Sequence, residues 1–191
     1  MTDTTTAGFG PPFSFALAVL LALLLVAPTL PAGETGDGET GEDLRRARRF
    51  LARHLLVDGH NDLAIAIRNA EGTPGDVAAY ELRRRPPGQT DLPRLRAGQV
   101  GAQFWSVYIP AEGGGPYART QLEQIELMRR VIDRYPDDLQ LALTVADVRA
   151  ARRSGRIASL LAMEGGYGIE NSLGALRAFH ALGVRAMALT P

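Results

Sequence analysis

Cysteine is absent from the 191-residue sequence, and so is lysine, since all 21 basic side chains are arginine. Without cysteine there is no disulfide and no thiolate ligand, so a bound metal would have to be held by nitrogen and oxygen, and the redox compartment leaves no mark on the chain. Without lysine no carbamylated side chain can bridge a pair of metal ions. Net charge is missing as well: 21 acidic residues balance the 21 arginines, so no overall field draws the chain to nucleic acid or to an anionic membrane. Histidine is nearly missing, at three residues. What is present, 46% hydrophobic residues over a length suited to one domain, is the composition of a globular protein rather than a disordered one.

A hydrophobic run of the ~20 residues that span a bilayer comfortably is also lacking. Residues 13–27 come nearest: they are apolar apart from Ser14, Pro28 and Pro31 follow, and the small pair Ala32-Gly33 closes the stretch. That is the pattern of a secretory apolar segment, although the usual basic start is missing and Asp3 is the only charged side chain ahead of it. Residues 1–32 are therefore read as a signal peptide or amino-terminal membrane anchor. This predicts an exported or membrane-anchored protein, periplasmic or extracellular. Residues 33–43 contain only Gly, Glu, Thr and Asp and read as a flexible acidic linker.

From Leu44 onward periodicity takes over. Leu44, Ala47, Phe50 or Leu51 and His54 recur at helical spacing among Arg45, Arg46, Arg48, Arg49 and Arg53, which predicts a helix with a solvated arginine face. His54 is read there as a packing or capping residue rather than a ligand. Residues 63–70, 145–154 and 172–182, and the stretch that ends at Tyr135-Pro136, also read as helices, with Gly155 and Gly183 as stops. The apolar runs 55–57, 100–109, 139–143, 157–163 and 184–189 read as strands. Strands alternating with helices at this spacing imply parallel βα units. The glycine-rich stretch 112–116 lacks the Gly-Lys-Ser/Thr ending of a phosphate-binding loop and receives no nucleotide role.

Two of the apolar runs end in side chains that bind metal. After Leu55-Leu56-Val57 come Asp58-Gly59 and then His60-Asn61-Asp62; after residues 157–163 comes Glu164-Gly165-Gly166. Side chains alternate along a strand, so a His-x-Asp spacing puts both groups on one side. An imidazole and a carboxylate are ordinary zinc ligands, and Glu164 adds a carboxylate able to bridge two metals. These residues stand at the carboxyl ends of strands, where TIM barrels build their active sites. Phe104, Trp105 and Tyr108 in the second strand are open to two roles, since large aromatics in a buried strand usually serve the core.

Four blocks, Val57-Asp58-Gly59-His60-Asn61-Asp62, Thr90-Asp91-Leu92-Pro93-Arg94-Leu95, residues 100–108 with Gln103-Phe104-Trp105-Ser106 at their centre, and Met163-Glu164-Gly165-Gly166, occur in the order seen in the membrane (renal) dipeptidases, peptidase family M19. The sequence resembles that family from about His54 to Pro191. The resemblance implies an α/β fold, a TIM (β/α)8-type metal-dependent hydrolase barrel. It implies two zinc ions, the first held by His60 and Asp62, with Glu164 bridging both and acting in catalysis. A metal pair of this kind polarises a scissile carbonyl and lowers the pKa of the attacking water. It further implies dipeptide substrates, including those with a D-residue at the carboxyl end, and places Trp105 and Tyr108 beside the substrate.

The chain also departs from the family pattern. The second zinc needs two histidines from later strands, whereas only His54 and His180 remain, and His180, between Phe179 and Ala181 in a predicted helix, reads as structural. The family places a substrate-contacting histidine directly after a Leu-Thr pair; here Leu189-Thr190 is followed by Pro191. Tyr167 stands where many relatives carry histidine. Residues 44–191 fall short of the ~250 that a closed barrel takes. The expectation is therefore an amino-terminal partial barrel of a longer dipeptidase, inactive by itself, whose open strand edge invites association with another chain, a second copy included. The alternative is an inactive truncated paralogue serving as a metal-binding or interaction module. The His-x-His opening of other amidohydrolases is absent because Asp62 takes the second place, and Asn61 separates the adjacent His-Asp pair that HD phosphohydrolases require.

Overall fold

Leu56–Asn61 (β1), Val100–Ser106 (β2), Leu139–Leu141 (β3), Ile157–Glu164 (β4) and Val184–Ala188 (β5) form one sheet in the computed structural model, with every neighbouring pair parallel. The structure describes residues 37–84, 86, 88–111 and 114–190. The predicted leader, residues 1–32, lies outside the described residues. Strand order is β1-β2-β4-β3, with β5 also on β4. The short β3 pairs only with Ile157–Ser159 at the start of β4, and β5 takes over the same edge from Leu161 to Glu164. β4 is thus the central strand, and Glu164 is its last residue.

Among the described residues six α-helices accompany the strands: Asp37–Arg53 (α1), Leu63–Arg68 (α2), Leu92–Ala97 (α3), Tyr117–Arg134 (α4), Val145–Arg153 (α5) and Leu173–Ala181 (α6). Three of the starts have a side-chain cap. Thr144 caps α5 reciprocally, its hydroxyl accepting from the Asp147 amide while the Asp147 carboxylate accepts from the Thr144 amide. Ser172 caps α6 by accepting from the Ala175 amide. The buried carboxylate of Asp91 accepts from the Arg94 amide at 2.6 Å and pairs with the Arg94 guanidinium, which fixes α3, a helix that the sequence pattern leaves unread.

Several spans differ from expectation, among them the first strand, which runs on to Asn61, and the third, which stops at Leu141. The linker predicted over residues 33–43 is helical from Asp37 onward. Glu42 and Asp43 stand in the first half of α1, where negative side chains favour the helix dipole. The chain divides between Asp43 and Leu44, and Leu44–Pro191 is one compact unit. The second strand stops at Ser106 rather than Ile109. Among the described residues no helix is long and apolar enough to cross a membrane.

The sheet separates two sets of core residues. On one face Trp105, Val107, Ile157, Leu161, Met163 and Val184 pack with Ile125, Met128, Val131 and Ile132 of α4 and Leu63 and Ile67 of α2. On the other face Ala102, Ala142, Ala151 and Ala158 meet Leu55, Val148 and Leu160. The second set is built of small side chains, and it shares its face with Ser106, Ala162 and Glu164, which follow Ala102 and Ala158 at even spacing.

At the opposite end of β4 from Glu164, the nearly buried Asp138 accepts hydrogen bonds from Arg83 at 3.2 Å and from Arg96 at 2.9 and 2.5 Å, while its carbonyl accepts from the Ile157 amide. This charged clamp ties the segment before β3 to the Leu82–Arg84 turn and to α3.

Candidate metal centre

The register of β1 against β2 is irregular at two places, and the irregularities cancel. Leu56 pairs with Val100 but Val57 with Ala102, so β2 holds an extra residue at Gly101; Asp58 pairs with Gln103 but Asn61 with Trp105, so β1 then holds one extra. A side chain at residue 101 would press on Leu55, a Cβ there coming within 2.3 Å of the Leu55 Cδ1 atom. The second bulge gives Gly59 and His60 consecutive places opposite Phe104, which turns His60 to the face that carries Ser106 and Glu164. Bulges beside functional sites commonly re-aim a side chain in this way. The backbone amide of His60 donates to the Asp58 carboxylate at 3.2 Å, which holds the bulge.

Asp62 lies just past the strand, at the residue that precedes α2. Its position is fixed by its neighbour. The Asn61 side chain is hydrogen-bonded to the Thr90 hydroxyl at 3.0 Å and accepts from the Leu63 amide at 3.1 Å, so the turn from strand to helix is tied to the segment before α3. The Thr90-Asp91 block thereby acquires a structural role that its sequence did not disclose.

Ligand-type atoms of His60, Asp62 and Glu164 all lie within 4.8 Å of one another. The His60 Nε2 atom is 3.2 Å from Asp62 Oδ1 and 3.4 Å from Glu164 Oε2. One imidazole and two carboxylates gathered so closely make a donor set suited to a divalent cation, because the cation offsets the mutual repulsion of the two acids. His54 and His180 do not join the group. His54 stacks on Phe50 with ring centroids 4.2 Å apart, and His180 lies in α6.

The turn after Glu164 is shaped by Gly165, whose φ of +95° side chains rarely adopt and where a Cβ would meet the Tyr167 ring at 2.0 Å. Tyr167 itself donates to the Ile109 carbonyl and packs edge-on against Tyr117. It is a structural residue in this fold.

Two cavities meet at His60. One, of about 310 Å³, is lined by Ser106, Glu164, Ala162, Ala186, Ala188 and Thr190; the other, of about 350 Å³, lies on the Asp62 side and is lined by Ala66, Tyr80, Gly88 and Gln89 among others. Burial raises the Tyr80 phenol above its usual pKa, against the opposing effect of the Arg94 charge.

The aromatic expectations need correction. Trp105 has no exposed surface and belongs to the core under the helices, because it alternates with Ser106 and points away from the metal residues. Tyr108 is half-buried beyond the end of β2 and lines neither cavity. Ser106 is the residue that sequence reasoning missed. Its hydroxyl donates to Glu164 Oε2 at 2.9 Å, and the only hint of it was a small polar side chain at the carboxyl end of an otherwise buried strand.

A family model described as membrane dipeptidase, peptidase family M19, matches residues 44–191. The chain belongs to this family. Among similar proteins, Dipeptidase ataJ of Aspergillus terreus is 42% identical over 160 residues, covering 79% of this chain and 38% of its own length. Dipeptidase 3 of Mus musculus is 44% identical over 149 residues, covering 77% of this chain and 29% of its own. The chain thus spans well under half the length of these curated relatives. The partial barrel is similar to a solved dipeptidase of family M19, with a TM-score of 0.60 at 25% identity over 71% of this chain and 42% of that one. It also shares its fold with a metallopeptidase from Rhodobacter sphaeroides solved with a phosphinate mimic of L-Ala-D-Ala, with a TM-score of 0.61 at 23% identity over 71% and 45% of the two chains.

Proposed function

We propose that this chain carries the first-metal half of a zinc-dependent dipeptidase site, with His60, Asp62 and Glu164 as the ligands and dipeptides as the substrate class. The convergence of these three side chains within 4.8 Å is the observation that carries the proposal. Membership of the dipeptidase family supports the substrate class. Zinc held there would polarise the scissile carbonyl and make water a competent nucleophile near neutral pH. The protein's own share is positional. His60 and Asp62 are fixed by the bulge and by the Asn61–Thr90 contact, and Glu164 by the end of the central strand. The two cavities on either side of His60 offer room for the two residues of a dipeptide. An exported or membrane-anchored location, suggested by the apolar stretch 13–27, accords with such a role.

A second reading, a metal-binding module without turnover, is favoured by one observation. Among the described residues no second group of histidines and carboxylates converges, and the other two histidines lie apart. Titration of the purified chain with zinc should therefore give close to one ion per chain, and Gly-D-Ala should be hydrolysed no faster than background. A phosphinate mimic of L-Ala-D-Ala should raise the melting temperature of the zinc-loaded chain and leave the zinc-free chain unchanged. Absence of zinc binding removes the site assignment. Zinc binding without any response to the mimic removes the dipeptide assignment and leaves the metal-binding module.

A further inference from the structure

We infer that Ser106 is a positioning residue that holds the Glu164 carboxylate in its metal-binding orientation. The inference rests on the proposed site and extends it to a residue outside the ligand set.

The geometry is specific. Ser106 is the last residue of β2 and pairs in register with Ala162 of β4, and the Val107 amide continues the ladder by donating to the Ala162 carbonyl at 2.8 Å. The backbone under the serine is thus fixed on the same strand that carries Glu164 two residues further on. Ser106 is 1% exposed while the Glu164 side chain retains 29%, so the hydroxyl sits at the base of the cavity and the carboxylate stands above it. The hydroxyl donates at 2.9 Å to Oε2, the same oxygen that faces His60 Nε2 at 3.4 Å. One donated bond therefore fixes which oxygen is turned toward the histidine, and through it the rotation of the whole carboxylate.

The physical need for such a partner is clear. A glutamate side chain has three rotatable bonds, and a free carboxylate at the mouth of a cavity would spend much of its time turned to solvent. Hydrogen-bonded partners behind metal ligands fix their orientation, and their loss typically lowers metal affinity 10- to 100-fold. A strong donor to Oε2 also leaves Oε1 available for a second contact, which suits a carboxylate expected to serve two metals. The strand neighbours on this face, Ala162, Ala186 and Ala188, carry no hydrogen-bonding group in their side chains, and the bond to the Glu164 carboxylate comes from Ser106.

The test is a zinc titration of the full chain, purified without a histidine tag, by competition with a chromogenic chelator. It compares the native chain with Ser106→Ala, Ser106→Thr and His60→Ala, each checked for an unchanged far-ultraviolet circular dichroism spectrum. Ser106→Ala should bind zinc about 10- to 100-fold more weakly, while Ser106→Thr, which keeps the hydroxyl, should stay within about threefold of native. Native affinity in Ser106→Ala, with binding lost in His60→Ala, overturns the inference and leaves the site standing. Equal weakening in Ser106→Ala and Ser106→Thr also overturns it, because packing rather than the hydroxyl would then be responsible. Undiminished binding in His60→Ala shows that the metal lies elsewhere, and both the site and the inference fall.

Discussion

Replacing His60 with alanine is expected to remove zinc binding at the proposed site, with affinity falling by more than about 100-fold, beyond the range seen when a supporting partner alone is lost. His60 is the only nitrogen donor in the group, and it lies between the two carboxylates, 3.2 Å from one and 3.4 Å from the other. Without it two acids face each other across the gap, an all-oxygen arrangement that holds hard cations such as calcium weakly and leaves zinc without its nitrogen ligand. The native chain and the variant should therefore differ in zinc affinity far more than in calcium affinity. The side chain is more than half exposed, so the truncation leaves little cavity and the fold should persist. Equal zinc affinity in the two proteins would show that His60 is a surface histidine near two acids and nothing more.

The second large effect concerns stability. Trp105→Ala is expected to lower the free energy of unfolding by about 3–5 kcal/mol, the usual cost of emptying the site of a large buried aromatic. Trp105 has no exposed surface and is among the largest fully buried side chains, set between the sheet and helices α2 and α4. Against a total of about 5–15 kcal/mol for a domain, that loss brings the fold close to its limit. Trp105→Phe should cost much less, because the indole Nε1 is buried without a hydrogen-bond partner and nothing polar is lost with it. Urea denaturation followed by circular dichroism measures both, since the chain's one tryptophan cannot report on its own removal. A loss below about 1 kcal/mol for Trp105→Ala would place the residue at a surface after all, and the substrate-lining role would regain its standing.

That correction marks where the sequence could be read and where it could not. That His60, Asp62 and Glu164 lie together is legible because His60-Asn61-Asp62 and Glu164 each come at the end of an apolar run, and strand ends on one side of a parallel sheet are neighbours. The faces of β2 are not. A parallel strand covered on both sides is apolar on both, so alternation carries no signal, and Phe104, Trp105 and Ser106 look equally inward or outward. The assignment depends on register, and register here depends on paired irregularities at Gly101 and Gly59-His60 that no local pattern announces. Helix α3 escaped notice because its six residues bury only Leu92 and Leu95, too few to show a helical period, although Asp91 and Pro93 are good starting signals. The acidic run before Leu44 reads as linker because it contains no apolar side chain to give a helical period, yet acids such as Glu42 and Asp43 are favourable near the start of a helix.

The Asp138 clamp has a consequence for how the protein can change. It sits at the start of β4 and the metal residues at its end, seven residue steps or roughly 23 Å apart at the rise of an extended strand. Sites that far apart with no shared partner behave additively, within about 0.5 kcal/mol. Asp138→Ala should lower the melting temperature without altering zinc affinity, Ser106→Ala should do the reverse, and the double variant should show each loss undiminished. Stability and metal affinity are thus separable traits in this chain, so that heritable variation at one end of the strand can tune endurance while the chemistry at the other end is left as it was.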